Sequence, residues 1–243
     1  AGFSRTEDPR KANLAIINTC AVRENAEDKV YGEIGSFKAN KDQDKDFMLV
    51  LSGCVMDEND IAQKLMQTYP WITLVIGTHD ISKLNELLAS SLEKKASIVS
   101  VRSFASEVVE NMPSVRLNSS QAFVNISYGC DKFCTYCIVP YTRGRERSRK
   151  MEDIVKECQD LVDKGYKQIT LLGQNVNSYG LDFKDGTTFA KLLKAVAETN
   201  IPHLRFLTSY PSQFTDEMID VMATYPNIDH WLHFPVQSGS SKV

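Results

Sequence analysis

Short, nearly unbroken apolar runs alternating with helical periodicity constrain this chain more than any other feature. Residues 13–17 (NLAII), 47–51 (FMLVL) and 72–76 (ITLVI) read as buried strands. A helical pattern follows each: Val22, Ala26, Val30, Ile34 and Phe37; then Ile61, Leu65 and Met66; then Ile81, Leu84, Leu87 and Leu88. Strands that are apolar on both faces and separated by helices demand a parallel sheet covered on both sides. Residues 1–90 therefore read as a doubly wound parallel-sheet domain of the α/β class.

Residues 91–120 are rich in Ser, Asn and charge and lack sustained helical periodicity. They read as an interdomain connection with one edge strand at 98–101. The strand-and-helix rhythm resumes over 121–243. Strands are expected at 123–126, 167–172, 204–207 and 231–236. Helices are expected on Met151, Ile154, Val155, Cys158, Leu161 and Val162; on Phe189, Leu192, Leu193 and Val196; and on Met218, Ile219 and Met222, with Thr215 as cap and Asp216 and Glu217 in the first turn. Such an array is barrel-like, with its chemistry at the carboxyl ends of the strands. That rim carries the loop after 126, Gly173-Gln174-Asn175, Ser209-Tyr210-Pro211 and Gln237-Ser238-Gly239.

The loop is Tyr128 to Arg149, YGCDKFCTYCIVPYTRGRERSR. Cys130, Cys134 and Cys137 stand at spacing C-x3-C-x2-C. Thiolates this close can share one soft metal centre. Zinc usually takes four protein ligands from two separated pairs, and no second pair follows at the usual spacing, although a structural zinc knuckle is the alternative. Three thiolates suit a 4Fe-4S cluster whose fourth iron stays open to an amine and a carboxylate. Cys20 and Cys54 each follow an apolar strand and precede a helix, so both belong on one edge of the first sheet. Two thiols make half a metal site, and a buried apolar role is the alternative. Cys158 falls in a helical stripe and reads as core.

The cysteine spacing, Tyr136 before the last cysteine, and the sequence IVPYTRGRERSR together resemble the methylthiotransferase family of the radical S-adenosylmethionine (SAM) superfamily, its tRNA branch most closely. The similarity runs from about residue 11 onward. It implies a partial radical-SAM (β/α)6 barrel, truncated here, with two further units and a carboxyl-terminal RNA-binding module beyond it. INTCAVRENAEDKV and LSGC resemble two of the three cysteine motifs that hold that family's auxiliary 4Fe-4S cluster, and the first motif lies upstream of this chain. Val55-Met56-Asp57 departs from the family pattern. Tyr136, Gly173, Gln174, Asn175 and Ser209 are the expected SAM-binding residues, with a plain polar strand-to-helix turn as the alternative for 173–175. Two 4Fe-4S clusters, SAM and an external electron donor are the implied cofactors and partners. No catalytic side chain is expected beyond the cluster ligands. The implied reaction is methylthiolation at C2 of N6-isopentenyladenosine at position 37 of tRNA. Threonylcarbamoyl-adenosine, an aspartate of a ribosomal protein, and a non-catalytic metal-stabilised RNA-binding role are the alternatives.

Formal net charge is -3, which rules out a uniformly basic nucleic-acid binder and requires a local patch. Arg143, Arg145, Arg147, Arg149 and Lys150 supply a candidate phosphate-contacting strip. A solvated loop, or arginines that hold cluster sulfides and nearby carboxylates, are the alternatives. His79, His203, His230 and His233 are scattered and read as turn, core or rim residues. No apolar run approaches the ~18 residues of a membrane span, and no secretion signal is evident, so a cytoplasmic location is expected. Ala1 opens no recognisable element, and the chain reads as a piece of a longer polypeptide. Oligomeric state and the source of sulfur stay open at this level.

Overall fold

β2 (Met48–Gly53) is buried along its whole length and organises the first sheet. The structure, a computed structural model, describes residues 2–21, 26–58, 60–102, 108–110, 115, 116, 118–236, 238–240 and 242, and at 26 and 27 the backbone alone. The chain divides into two units, Ala1–Ser106 with Lys132–Gly144, and Glu107–Asp131 with Arg145–Val243.

In the first unit, β1 (Leu14–Thr19), β2, β3 (Leu74–Ile76) and β4 (Ile98–Ser100) form a parallel sheet in that order. Alternate residues of β2 enter two different cores, as the pleat requires. Leu49 and Leu51 pack with Val30 and Ile34 of α1 (Ala26–Ser36) and with Ile61, Ala62 and Leu65 of α3 (Ile61–Thr68). Met48 and Val50 pack with Leu88 of α4 (Leu84–Lys94). The sheet is thus covered on both faces, as expected. A short helix not expected from the sequence, α2 (Lys38–Gln43), precedes β2. Of the first helical stripe, Val22 lies outside the described residues, and Ile81 falls in a 3-10 turn ahead of α4. β4 occupies part of the segment read as a connection and is the fourth strand of this sheet.

The second unit holds the parallel sheet β5 (Gln121–Asn125), β8 (Gln168–Leu172), β9 (His203–Phe206), in order β5-β8-β9. Ala122, Val124, Ile169, Leu171, Leu204 and Phe206 pack beneath α6 (Met151–Asp163), α7 (Phe189–Ala197) and α8 (Asp216–Thr224). Cys158 is fully buried in this core, as its place in the stripe requires. Thr188 and Thr215 cap α7 and α8, accepting from Lys191 N at 3.3 Å and Met218 N at 3.4 Å. A two-residue antiparallel ladder, β6 (Ser127–Tyr128) with β7 (Arg147–Ser148), joins the two stems of the cysteine loop.

The strand expected at 231–236 is not formed. The parallel bridge Leu204–Ile228 starts a pairing with β9. Trp231 N–H then bonds back to Asp229 O at 2.8 Å, a tight turn that takes the backbone off the ladder. The pairing resumes only where Ser209 N–H reaches His233 O at 3.1 Å. Of the rim segment expected at 237–239, Gln237 lies outside the described residues.

Candidate functional site

The carboxyl rim of the second sheet is built by strand register. Asn125 is paired with Leu172, and Leu171 with Phe206, so the residues following β5, β8 and β9 emerge side by side. Ile126 N–H bonds Leu172 O at 2.8 Å and Val176 N–H bonds Thr208 O at 3.1 Å, which extends the alignment past the strands. Ser127, Gly173 to Asn175, and Ser209 therefore share one edge.

Four acceptors there, Ser127 Oγ, Gln174 Oε1, Asn175 Oδ1 and Ser209 Oγ, are buried without a hydrogen-bond partner among the described residues. Leaving one such group unmet costs about 1–3 kcal/mol. Native chains rarely tolerate several together unless water, an ion or a ligand meets them. Asn175 is oriented from its other end, where Nδ2 donates to Gln213 Oε1 at 2.6 Å. A β-carbon on Gly173 would lie 2.7 Å from Ser127 Oγ, so glycine is what keeps the two stems this close. The amide oxygens can accept from an ammonium group, and the two hydroxyls can donate to a carboxylate. The edge thus suits the amino-acid end of a small molecule. Gln174, Asn175, Ser209 and Gly173 stand where the sequence places them. Ser127 was not anticipated; its only signal is a small polar residue directly after an apolar strand.

None of the six cysteines is in a disulfide. Cys130 is buried, whereas Cys134 and Cys137 are partly exposed and share a turn in which Cys137 N–H bonds Cys134 O at 2.9 Å. Tyr136, inside that turn, is 68% exposed. Among the described residues no three His, Cys, Asp or Glu side chains converge in a way that would hold a metal ion. The fit of the loop to an iron-sulfur cluster is accordingly one of donor chemistry, three thiols within eight residues.

In the first unit, Thr19 and Gly53 are register partners, so Cys20 and Cys54 leave neighbouring strands at the same level, on one edge. Gly53 has φ of +100°, a conformation that side chains disfavour, and it turns the chain into the 3-10 segment Cys54–Asp57. Asp57 Oδ2 accepts from Thr78 N at 2.9 Å and Thr78 Oγ1 at 2.6 Å, tying that segment to the end of β3. Burial pushes the Asp57 carboxyl up, and the Thr78 bonds offset this only in part. Helix α5 (Val139–Thr142), in the 132–144 segment, packs on the same 3-10 turn. Arg143, which follows it, places Nε 3.2 Å from Cys54 Sγ.

The five cations of the candidate strip do different things. Arg149 is 8% exposed and donates to Glu110, to Glu157 and to the carbonyl of Asn125 at 2.7 Å. Burial opposes its charge, but the two carboxylates more than offset this and raise its pKa. It is a core ion-pair residue, which corrects its assignment to the RNA strip: phosphate would have to displace two carboxylates. Arg147 is half-buried, and desolvation lowers its pKa. Arg145 is exposed, with Asp131 at 3.5 Å, and Lys150 is exposed at the start of α6. Of the histidines, His203 meets Asp229 at 3.2 Å, His233 Nδ1 accepts from Thr208 N at 3.1 Å, and His230 approaches Met222 O at 3.2 Å. No helix among the described residues is long and apolar enough to cross a membrane.

Two families match the chain. Residues 124–243 match the radical SAM superfamily, and residues 1–77 match a family described as Uncharacterized protein family UPF0004. Over all 243 residues the chain is 47% identical to the tRNA-2-methylthio-N(6)-dimethylallyladenosine synthase of Bacillus subtilis (strain 168) and 49% identical to that of Staphylococcus haemolyticus (strain JCSC1435). It covers 48% and 47% of those proteins, so it spans about half the length of the curated relatives it matches. Among solved structures it superposes on the radical SAM methyltransferase TsrM from Kitasatospora setae with a TM-score of 0.61. That match has 14% identity and covers 96% of this chain and 50% of the other. The cobalamin-dependent SAM radical enzyme OxsB gives 0.60, also at 14% identity, over 93% of this chain and 36% of the other. At that identity the likeness is one of fold.

Proposed function

We propose, for a chain that belongs to the radical S-adenosylmethionine superfamily, that the protein is a tRNA methylthiotransferase acting at C2 of N6-isopentenyladenosine at position 37. The support that carries this reading is identity of 47–49% along the entire chain to tRNA-2-methylthio-N(6)-dimethylallyladenosine synthases. The rim of buried, unmet acceptors is its structural complement.

In this reading Cys130, Cys134 and Cys137 hold one 4Fe-4S cluster. Cys20 and Cys54 hold a second together with a cysteine outside this chain. With SAM bound and an external electron donor, a cluster held by Cys130, Cys134 and Cys137 would supply one-electron reduction of the sulfonium. The chain's own residues bind and orient. Gln174 and Asn175 would accept from the N–H bonds of the methionyl amine, and Ser127 and Ser209 would donate to its carboxylate. Gly173 leaves room for that end of the molecule. Tyr136 offers an exposed ring to the adenosine end. Arg145 and Lys150 are the exposed cations suited to RNA phosphates.

The test is mass spectrometry of bulk tRNA nucleosides from a deletion strain. Loss of the 2-methylthio group from isopentenyladenosine alone supports the reading. Loss confined to threonylcarbamoyl-adenosine, or to an aspartate of a ribosomal protein, would reassign the substrate.

A further inference from the structure

Asn175, which is 4% exposed, is gripped from behind: its Nδ2 donates to Gln213 Oε1 at 2.6 Å, while its Oδ1 is buried and unmet among the described residues. The backbone on both sides sets this contact. Asn175 O accepts from Ser178 Oγ at 3.0 Å and Val176 N–H bonds Thr208 O at 3.1 Å, which fixes the turn after β8. Past β9, Thr208 takes φ of +67°, a strained conformation for a β-branched residue. That bend leads into the 3-10 turn Pro211–Gln213. Ahead of the turn, Tyr210 N–H bonds Asn177 Oδ1 at 3.1 Å; behind it, Phe214 packs against the core. Gln213 is therefore bracketed by two anchored neighbours. An amide has one accepting end and one donating end. By taking the donor of Asn175, Gln213 leaves the acceptor for the rim, where it suits an amine and opposes a carboxylate. Released, the same amide could turn over and present its donor instead.

We propose that Gln213 is a positioning residue: by accepting from Asn175 Nδ2 it sets the polarity of the rim, which then selects a ligand carrying an amino group beside its carboxylate. The inference rests on the reading of that edge as the seat of the amino-acid end of SAM. Gln213 acts through Asn175 and not by contact with the ligand.

The test is isothermal titration of the full-length protein, reconstituted anaerobically with iron and sulfide. Its two ligands differ only in the amino group: S-adenosylhomocysteine and the deaminated analogue S-adenosyl-4-thiobutyrate. Wild type is expected to prefer the first. Gln213→Met keeps the bulk and removes the acceptor; it should weaken S-adenosylhomocysteine about fivefold and leave the analogue unchanged. Gln213→Glu, which can only accept, should restore the wild-type preference. Gln213→Lys, which can only donate, should turn Asn175 over and abolish the preference, and it decides the matter if Gln213→Met does not fold. An unchanged preference in the deciding variant overturns the proposal. So does equal weakening of both ligands, because a contact that merely braces the fold would affect them alike. Absence of any preference in wild type overturns it as well. Failure of wild type to bind S-adenosylhomocysteine at all would instead sink the reading of the rim, and this inference with it.

Discussion

Gly173 stands against Ser127, and a β-carbon on it would lie 2.7 Å from the serine hydroxyl. The two residues end neighbouring parallel strands, so the contact measures how closely the rim of the second sheet is drawn together. Gly173→Ala forces that hydroxyl out of place. SAM binding to the full-length protein, read by isothermal titration, is expected to weaken by about tenfold, roughly 1.4 kcal/mol. The backbone at Gly173 needs no left-handed conformation, so melting temperature should change little. Normal binding in Gly173→Ala would place SAM elsewhere.

Arg149 is the test of interior electrostatics. Arg149→Ala leaves the partly buried Glu110 without this cation and Glu157 with Arg116 alone, and should destabilise the protein by about 1–3 kcal/mol. Arg145→Ala and Lys150→Ala should leave stability near wild type. Each should reduce the slope of log affinity for tRNA against log salt by about one. Chemical denaturation and filter binding separate the two outcomes; an Arg149→Ala protein of wild-type stability would contradict the ion-pair assignment.

The difference between those cations shows where sequence stops being informative. The strands of both sheets, the common edge of Cys20 and Cys54, the core place of Cys158 and the Thr215 cap were all readable, because each is fixed by local period or by its position just past a strand or ahead of a helix. Arg149 looks in sequence like its neighbours Arg147 and Lys150. What separates them is Glu110, 39 residues away, and such a partner has no local signature. Residues 231–236 failed for the opposite reason: their composition suits a strand, but a turn at Asp229–Trp231 removes them from the ladder. Ser127 was missed because an unmet hydroxyl is visible only once its surroundings are.

Cys158 should behave unlike the other thiols. It is fully buried, and burial pushes its pKa up to about 12. Under native anaerobic conditions iodoacetamide should label Cys134 and Cys137 in cluster-free protein and leave Cys158 unmodified. Cys158→Ala should retain wild-type iron content and lose about 1 kcal/mol of stability. Loss of iron in that variant would mean that Cys158 had been wrongly excluded from the ligands.

Asp80 sets part of the acid limit of the first unit. It is 1% exposed and is met by Arg102 and by Ser100 Oγ at 2.9 Å. Burial works against its charge, but these partners prevail and hold its pKa below 3.8. A carboxyl whose folded pKa is depressed stabilises the fold above its unfolded pKa and loses that contribution as pH falls through the folded value. Asp80→Asn should therefore lower the melting temperature at pH 7 and flatten its fall below about pH 4. Parallel melting curves of variant and wild type across that range would contradict the assignment.

The central claim is that Cys130, Cys134 and Cys137 together make a centre that cleaves SAM. It is tested most directly by measuring 5'-deoxyadenosine formed by the full-length protein after anaerobic reconstitution with iron and sulfide and addition of dithionite. Wild type is expected to form it, and Cys130→Ala, Cys134→Ala and Cys137→Ala each to form none. Undiminished 5'-deoxyadenosine from Cys134→Ala would contradict the account.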